Sequence, residues 1–281
     1  PRISFDVVGA LRDEGVRRVL KQMVPATLAV SVSQVSLIIN TNIATHLGAG
    51  AVSWITYADR LMEFPSAMLG VALGTILLPS LSRAHSMGDE QEYKTILNWG
   101  LRLTLLLALP AAVGLGCMSI ALTSGLFHYG HFSANDVIKT SQALTAYSFG
   151  LIGLIAVKIL ASAYYAKQDI RTPVKIAVVV LLMTQVMNYI FVPVFGHAGL
   201  SLSIGLGACL NAGILSFLLA RRGDLGGSAG WGTFFAKLSV ALLVLAGVSY
   251  GLSQQVGWIE LGQVGDFASK VQRLVWLFGI I

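Results

Sequence analysis

The sequence predicts an all-α protein, a polytopic membrane bundle of about seven complete transmembrane helices plus a truncated eighth, on three observations. First, its 281 residues are 55% hydrophobic and only 11% charged, with a mean hydropathy of +0.75, whereas soluble domains carry roughly 25% charged residues. Too few charges remain to cover a soluble core of this size. Second, the apolar residues gather in runs of the ~20 residues needed to cross hydrocarbon, and these runs are too long and too little alternating for strands. Third, the basic residues fall in the short breaks between the runs. This positive-inside arrangement, rather than nucleic-acid binding, accounts for the formal net charge of +6.

The first 22 residues mix Val7, Val8, Leu11, Val16, Val19 and Leu20 with charges. They are too polar for a signal peptide and suit either a helix lying at the cytoplasmic interface or a linker from an upstream span. Because the chain opens on Pro1, we expect it to be a piece of a longer protein. The expected spans are Met23 to Ala44, Ser53 to Leu81, Ile96 to Phe127, Val137 to Ala163, Pro173 to Val194, Gly199 to Ala220 and Phe234 to Leu252, with an eighth beginning near Val271. Residues 23–222 form a six-helix block. The Gly-rich stretch from Arg222 to Gly232 separates it from a terminal helix pair within 223–281.

Orientation follows from the connections. Arg83 and Lys94, then Lys167, Arg171 and Lys175, then Arg221 and Arg222 lie on the side of the basic N-terminus, while the turns His46 to Gly50 and Gly196 to Gly199 carry neither Lys nor Arg. The N-terminus is therefore expected in the cytoplasm and the Gln254 to Lys270 loop outside. Cys117 and Cys209 both fall inside apolar runs, so neither a disulfide framework nor a metal cluster is indicated.

The chemistry concentrates in the segment Tyr57-Ala58-Asp59-Arg60-Leu61-Met62-Glu63-Phe64-Pro65. An Arg at the bilayer centre costs roughly 2.5 to 3.5 kcal/mol on insertion scales. At about 100° per residue, Asp59, Arg60 and Glu63 share an arc of roughly 100° on one helix. The acids can hold the guanidinium, which can fork onto phosphate oxygens. The alternative is a segment at the membrane edge, with Arg60 snorkelling to water and the acids as surface partners. Pro65 then removes a helical hydrogen bond, and Gly70 and Gly74 form a small-residue face, which suits a hinge or plain close packing.

The first span carries Thr27, Ser31, Gln34 and Thr41 in one stripe, with Asn40 and Asn42 near its outer end. The stripe reads as a cavity lining or as interhelical hydrogen bonding. Lys158 in the fourth span is placed to pair with Asp59 or Glu63 across the cavity, or to snorkel. Ser201, Gly205, Cys209 and Gly213 recur every four residues as a packing face. The pair His128 and His131 lacks further ligands nearby. The chain contains no HExxH, GxSxG or GxxxxGK[ST] motif, so no enzymatic activity and no cofactor are expected.

At Ala58-Asp59-Arg60-Leu61-Met62-Glu63-Phe64-Pro65 and the following Leu69-Gly70-Val71-Ala72-Leu73-Gly74-Thr75-Ile76-Leu77-Leu78-Pro79-Ser80-Leu81-Ser82 the sequence closely resembles the MurJ (MviN) family of lipid II flippases. Gln168-Asp169-Ile170-Arg171-Thr172-Pro173-Val174-Lys175 and His197-Ala198-Gly199-Leu200-Ser201-Leu202-Ser203-Ile204-Gly205-Leu206 match as well. The family belongs to the multidrug/oligosaccharidyl-lipid/polysaccharide exporter superfamily, with two six-helix lobes around a central cavity and two C-terminal helices that form a lipid-tail groove. The resemblance implies that this chain supplies the second lobe and the start of the terminal pair. The N-terminal lobe would be a missing partner, and the location would be the bacterial inner membrane. It further implies alternating-access transport of lipid II, the undecaprenyl-pyrophosphate-linked precursor, among membrane lipids. Arg60 matches an arginine that binds the pyrophosphate, Asp59 and Glu63 its acidic flanks, and Ser53 a cavity-lining serine. Some members use a sodium site with a carboxylate on the seventh helix. Met23 to Ala44 contains no Asp or Glu, which argues against sodium coupling here. The rival readings are a polysaccharide or drug exporter of the same superfamily and a non-transporting scaffold in wall synthesis.

Overall fold

The breaks between the apolar runs carry residues that start helices, and the computed structural model, which describes residues 14–225 and 230–263 with Gln272, Val275, Trp276 and Gly279, shows several at work. Helix α1 runs Glu14–Thr45 and α2 Ala51–Ser86. The turn between them needs Gly50 at φ 97°, and the Trp54 ring lies against that glycine where a side chain would stand. Helix α3, Glu90–Cys117, is capped by Asp89, whose carboxylate accepts the Glu92 N–H at 2.8 Å. The short α4, Ser119–Phe127, follows at once. Helix α5, Ala134–Ser148, opens on a reciprocal capping box between Ser133 and Asp136. Then come α6 Leu151–Ala166, α7 Arg171–Phe195, α8 His197–Arg221, α9 Trp231–Gln254 and the short α10 Trp258–Gln263.

Among the described residues, α2, α3, α7, α8 and α9 are each long and apolar enough to cross a membrane, and α5 and α6 together, bent by 42° at their junction, are as well. Several expected boundaries shift. The run from Ile96 to Phe127 divides at Met118 into α3 and α4, and the run from Val137 to Ala163 divides at Phe149–Gly150 into α5 and α6. The expected first span lies within α1, which continues back to Glu14 and so absorbs the end of the lead-in. Residues 1–13 and nearly all of the expected eighth helix lie outside the described residues.

Helices α2 and α8 sit at the centre. The first packs on α3, α5 and α6, the second on α5, α6 and α7, while α1 touches mainly α7 and α9 mainly α3. In lipid no hydrophobic gain distinguishes helix from solvent, so close backbone approach holds such bundles. The bend between α5 and α6 shows this directly. Gly150 lies on the Gly205 backbone and Gly153 on Ala208 and Cys209, so the small-residue face of α8 is a packing face up to Cys209, while Gly213 is open. Leu77, Leu81, Leu97, Ile159, Leu160 and Tyr164 fill the core near one end, and Ala58, Leu144, Leu151 and Ile155 fill it near the other.

At the end rich in Lys and Arg, charges tie four helices together. Lys167 contacts Asp224 at 2.7 Å and Glu90 at 3.6 Å, and Arg222 contacts Asp169 at 2.9 Å. Both cations also lie over aromatic faces, Lys167 over Tyr93 at 4.6 Å and Arg222 over Tyr164 at 5.1 Å. Burial pushes the Asp169 carboxyl up, but hydrogen bonds from Thr172 and the Arg222 guanidinium outweigh it and hold the group below its ordinary value. A group with a depressed folded pKa adds stability that is complete above the unfolded value and is lost as pH falls to the folded one. The thermal stability of the purified protein in detergent is therefore expected to fall on acidification below about pH 4. The Asp169→Asn variant should lose that part of the pH dependence; an unchanged pH profile in the variant would count against this reading.

Candidate functional site

Asp59, Arg60 and Glu63 lie on α2 one turn apart, and the structure brings all three to one hollow of about 440 Å³ between α1 and α2. Arg60 Nη1 donates to Glu63 Oε2 at 3.0 Å, with the Arg side chain 70% exposed and the Glu side chain 56% exposed. The guanidinium thus opens onto a shared concave space rather than packing into the core. A single carboxylate oxygen occupies one arm of the fork, so other N–H groups remain to face an incoming anion.

The opposite wall is α1, with Thr41 of the expected stripe and Asn40 near its outer end, but without the rest of that face. Ser33, Ser36, Asn40 and Thr41 line the hollow, whereas Ser31, Gln34 and Asn42 are exposed outside it and Ser31 bonds back to the Thr27 carbonyl. Ser33 and Ser36 lie on a second polar stripe of the same helix, beside the expected one. Only the angle at which α1 docks on α7 decides between them, through the buried hydrogen bond from Asn188 Nδ2 to Asn40 Oδ1 at 3.0 Å. Tyr147 of α5 and Leu200 and Ile204 of α8 close the floor. Thr56, just before the charged segment, also lines the hollow, and neither it nor Tyr147 carried a sequence signal.

Lys158 does not reach Asp59 or Glu63. Its ammonium donates to the Ser66 carbonyl at 3.0 Å and to the Ser66 hydroxyl at 3.2 Å. Its stem crosses α2 where Gly70 leaves room, since a Cβ there would collide with Lys158 Cδ. Lys158 is therefore a tie between α6 and the segment of α2 just past Pro65, and Gly70 is needed for that crossing. Gly74 sits in ordinary contact range of Ser162. Ser53 opens onto a separate hollow of about 500 Å³ toward the α4–α5 connection, one to two turns along α2 from Arg60. A third hollow, about 740 Å³ and mostly apolar, lies among α3, α4, α5, α9 and α10. There Ser124 Oγ donates to the Trp258 carbonyl at 2.6 Å and holds α10 in place. His128 is buried and His131 exposed, and among the described residues no cluster of His, Cys, Asp or Glu could hold a metal ion.

The chain is thus a polytopic helical membrane protein with a charged cluster opening onto an interhelical hollow. Residues 2–263 match the family described as lipid II flippase MurJ, and the chain belongs to that family. It is 58% identical over 258 residues to the lipid II flippase MurJ of Burkholderia cenocepacia, covering 92% of this chain and 50% of that protein. It is 37% identical over 275 residues to the protein of Haemophilus influenzae named as a probable lipid II flippase MurJ, covering 95% and 53%. The chain thus spans about half the length of these relatives. Its fold is shared with a solved lipid II flippase MurJ in an inward closed conformation, at a TM-score of 0.71, 22% identity, and 94% of this chain against 54% of that one. It is also shared with an outward-facing multidrug resistance MATE family transporter, at a TM-score of 0.64 and 14% identity, over 99% of this chain and 65% of that one.

Proposed function

We propose that this chain is the C-terminal lobe of a flippase that carries undecaprenyl-pyrophosphate-linked peptidoglycan precursor across the bacterial cytoplasmic membrane by alternating access. The observation that carries the reading is Arg60, set beside Asp59 and Glu63 and opening onto the hollow between α1 and α2. A pyrophosphate cannot cross bare hydrocarbon with its charges unmet, so a path lined by cation and water is required. Arg60 holds the pyrophosphate, and Glu63 releases one arm of the guanidinium as the phosphate arrives. Asp59, Ser33, Ser36, Asn40 and Thr41 supply the polar wall, the N-terminal lobe of the full-length protein supplies the other half of the cavity, and the apolar hollow beside α9 receives a polyprenyl segment. Pro65 and the Lys158 tie let the outer part of α2 tilt on a fixed inner part as the lobes rock. The N-terminus lies in the cytoplasm, with the Lys- and Arg-rich end.

The test is translocation by purified full-length protein in liposomes carrying fluorescent lipid II. The full-length protein is expected to expose the lipid to a membrane-impermeant reagent, and residues 1–281 alone are expected not to, because one lobe leaves its hollow open to lipid. Translocation by residues 1–281 alone would refute the two-lobe cavity. Accumulation of a cationic drug without lipid II translocation would refute the substrate.

A further inference from the structure

The hollow into which Ser53 opens has a composition that the charge cluster does not explain. Its walls are the rings of Trp54 and Tyr57 from α2, of Phe127 at the end of α4, and of Tyr129 and Phe132 from the α4–α5 connection, with the Asp136 carboxylate at the edge. These rings are arranged rather than merely near. Tyr57 lies 4.8 Å from Phe127 and crosses Phe132 edge-on at 5.2 Å, with an interplanar angle of 87°. The Trp54 indole is fixed on three sides: by Gly50, which has no side chain to displace it, by the edge of His197 at 5.3 Å, and by its N–H donated to Asp136 Oδ1 at 2.7 Å. Asp136 Oδ2 meanwhile accepts from the Ser133 backbone N–H and hydroxyl. Of about four acceptor sites on a carboxylate, three are used and one remains on Oδ1.

Aromatic residues at the end of a membrane helix are often plain interface anchors. These differ in packing on one another along the wall of a hollow, joined to a carboxylate, while Tyr57 keeps 38% of its surface exposed. Flat apolar faces beside one oriented hydrogen-bond acceptor complement a ligand with an apolar C–H face and a rim of hydroxyl donors. A pyranose ring has that form. The position agrees. Ser53, Tyr57 and Arg60 follow one another at spacings of four and three and so share one stripe of α2, and the rise from Trp54 to Arg60 is about 9 Å. A sugar esterified to a phosphate held at Arg60 would lie along that stripe.

We propose that this hollow is a saccharide subsite, which receives a sugar ring of the lipid-linked substrate while Arg60 holds its pyrophosphate. The proposal rests on the transport reading above and adds the part of the headgroup that the charge cluster cannot recognise. Tyr57 and Phe132 give the stacking faces, and Asp136 accepts a sugar hydroxyl.

The test is binding to full-length protein in nanodiscs of two probes: undecaprenyl pyrophosphate, and undecaprenyl pyrophosphate carrying the disaccharide without its peptide. Tyr57→Leu and Phe132→Leu keep apolar bulk but remove the flat faces. They are expected to weaken the saccharide-bearing lipid about tenfold and to leave undecaprenyl pyrophosphate unchanged. Equal loss on both probes, or loss on neither, would overturn the subsite and leave the rings as interface anchors. Arg60→Ala in the same assay is expected to weaken both probes. If it weakens neither while Tyr57→Leu still discriminates, the pyrophosphate assignment falls and the saccharide subsite stands.

Discussion

Gly153→Leu is expected to prevent the bundle from assembling. A Cβ at position 153 would stand 2.6 Å from the Ala208 carbonyl carbon and 2.7 Å from Cys209 Cα, with the Cys209 nitrogen closer still. Those are main-chain atoms of a helix, so no rotamer change makes room and α6 has to move off α8. Overpacking ordinarily costs about 1–3 kcal/mol, and a branched side chain against rigid backbone lies at or above the top of that range. Gly150→Leu is expected to act in the same way, since its Cβ would stand 2.7 Å from the Gly205 carbonyl carbon at the bend between α5 and α6. Gly213 is the control: nothing lies within 4 Å of its Cβ position, and alanine there should be neutral or stabilising by up to about 1 kcal/mol. Yield, elution profile and melting temperature in detergent read the outcome. A Gly153→Leu protein that melts with the wild type would show that the α6–α8 contact does not hold the lobe together.

The second large effect is on transport rather than on folding. Arg60→Ala in the full-length protein is expected to fail to rescue cells depleted of their flippase, with pyrophosphate-lipid affinity lowered by about tenfold to a hundredfold. The side chain is 70% exposed and fills no core, so its removal should leave the amount of folded protein at the wild-type level, within about 0.5 kcal/mol of stability. That separation identifies a binding role. Arg60→Lys retains the charge but loses the planar fork and is expected to restore growth only in part. Full rescue by the alanine variant at normal protein level would remove Arg60 from the path.

Much of this lobe is legible in the sequence because lipid imposes a simple rule. A segment inside hydrocarbon must satisfy its own backbone hydrogen bonds, so the long apolar runs have to be helices. The charged motif around Arg60 stands out for the same reason, an ionisable group in such a run being costly enough to require a use. What escaped is of another kind. The sequence leaves Lys158 either a partner for Asp59 or Glu63 or a snorkelling group, yet it reaches the Ser66 carbonyl, because its direction is set by the angle between α6 and α2 and by the gap at Gly70. Two of the predicted spans proved to be broken helices, and no sequence feature separates a bend packed glycine on glycine from a straight small-residue face. The aromatic hollow was invisible because its rings come from α2 and from the end of α4 and the α4–α5 connection, some seventy residues apart in the chain.

By itself, then, the order of residues determined that this protein is a helical bundle in a membrane, which end carries the positive charge, and which short segment bears the costly ionisable groups. Each of these is a local property, fixed by transfer free energy over the ~20 residues that span the bilayer. The tertiary structure alone decided which polar face of α1 meets Arg60, which group Lys158 holds, and which rings converge beyond Ser53. Those depend on rotation and tilt of helices that touch through glycine and small side chains, where an error of one residue in register turns a side chain by about 100° and carries it to a different neighbour.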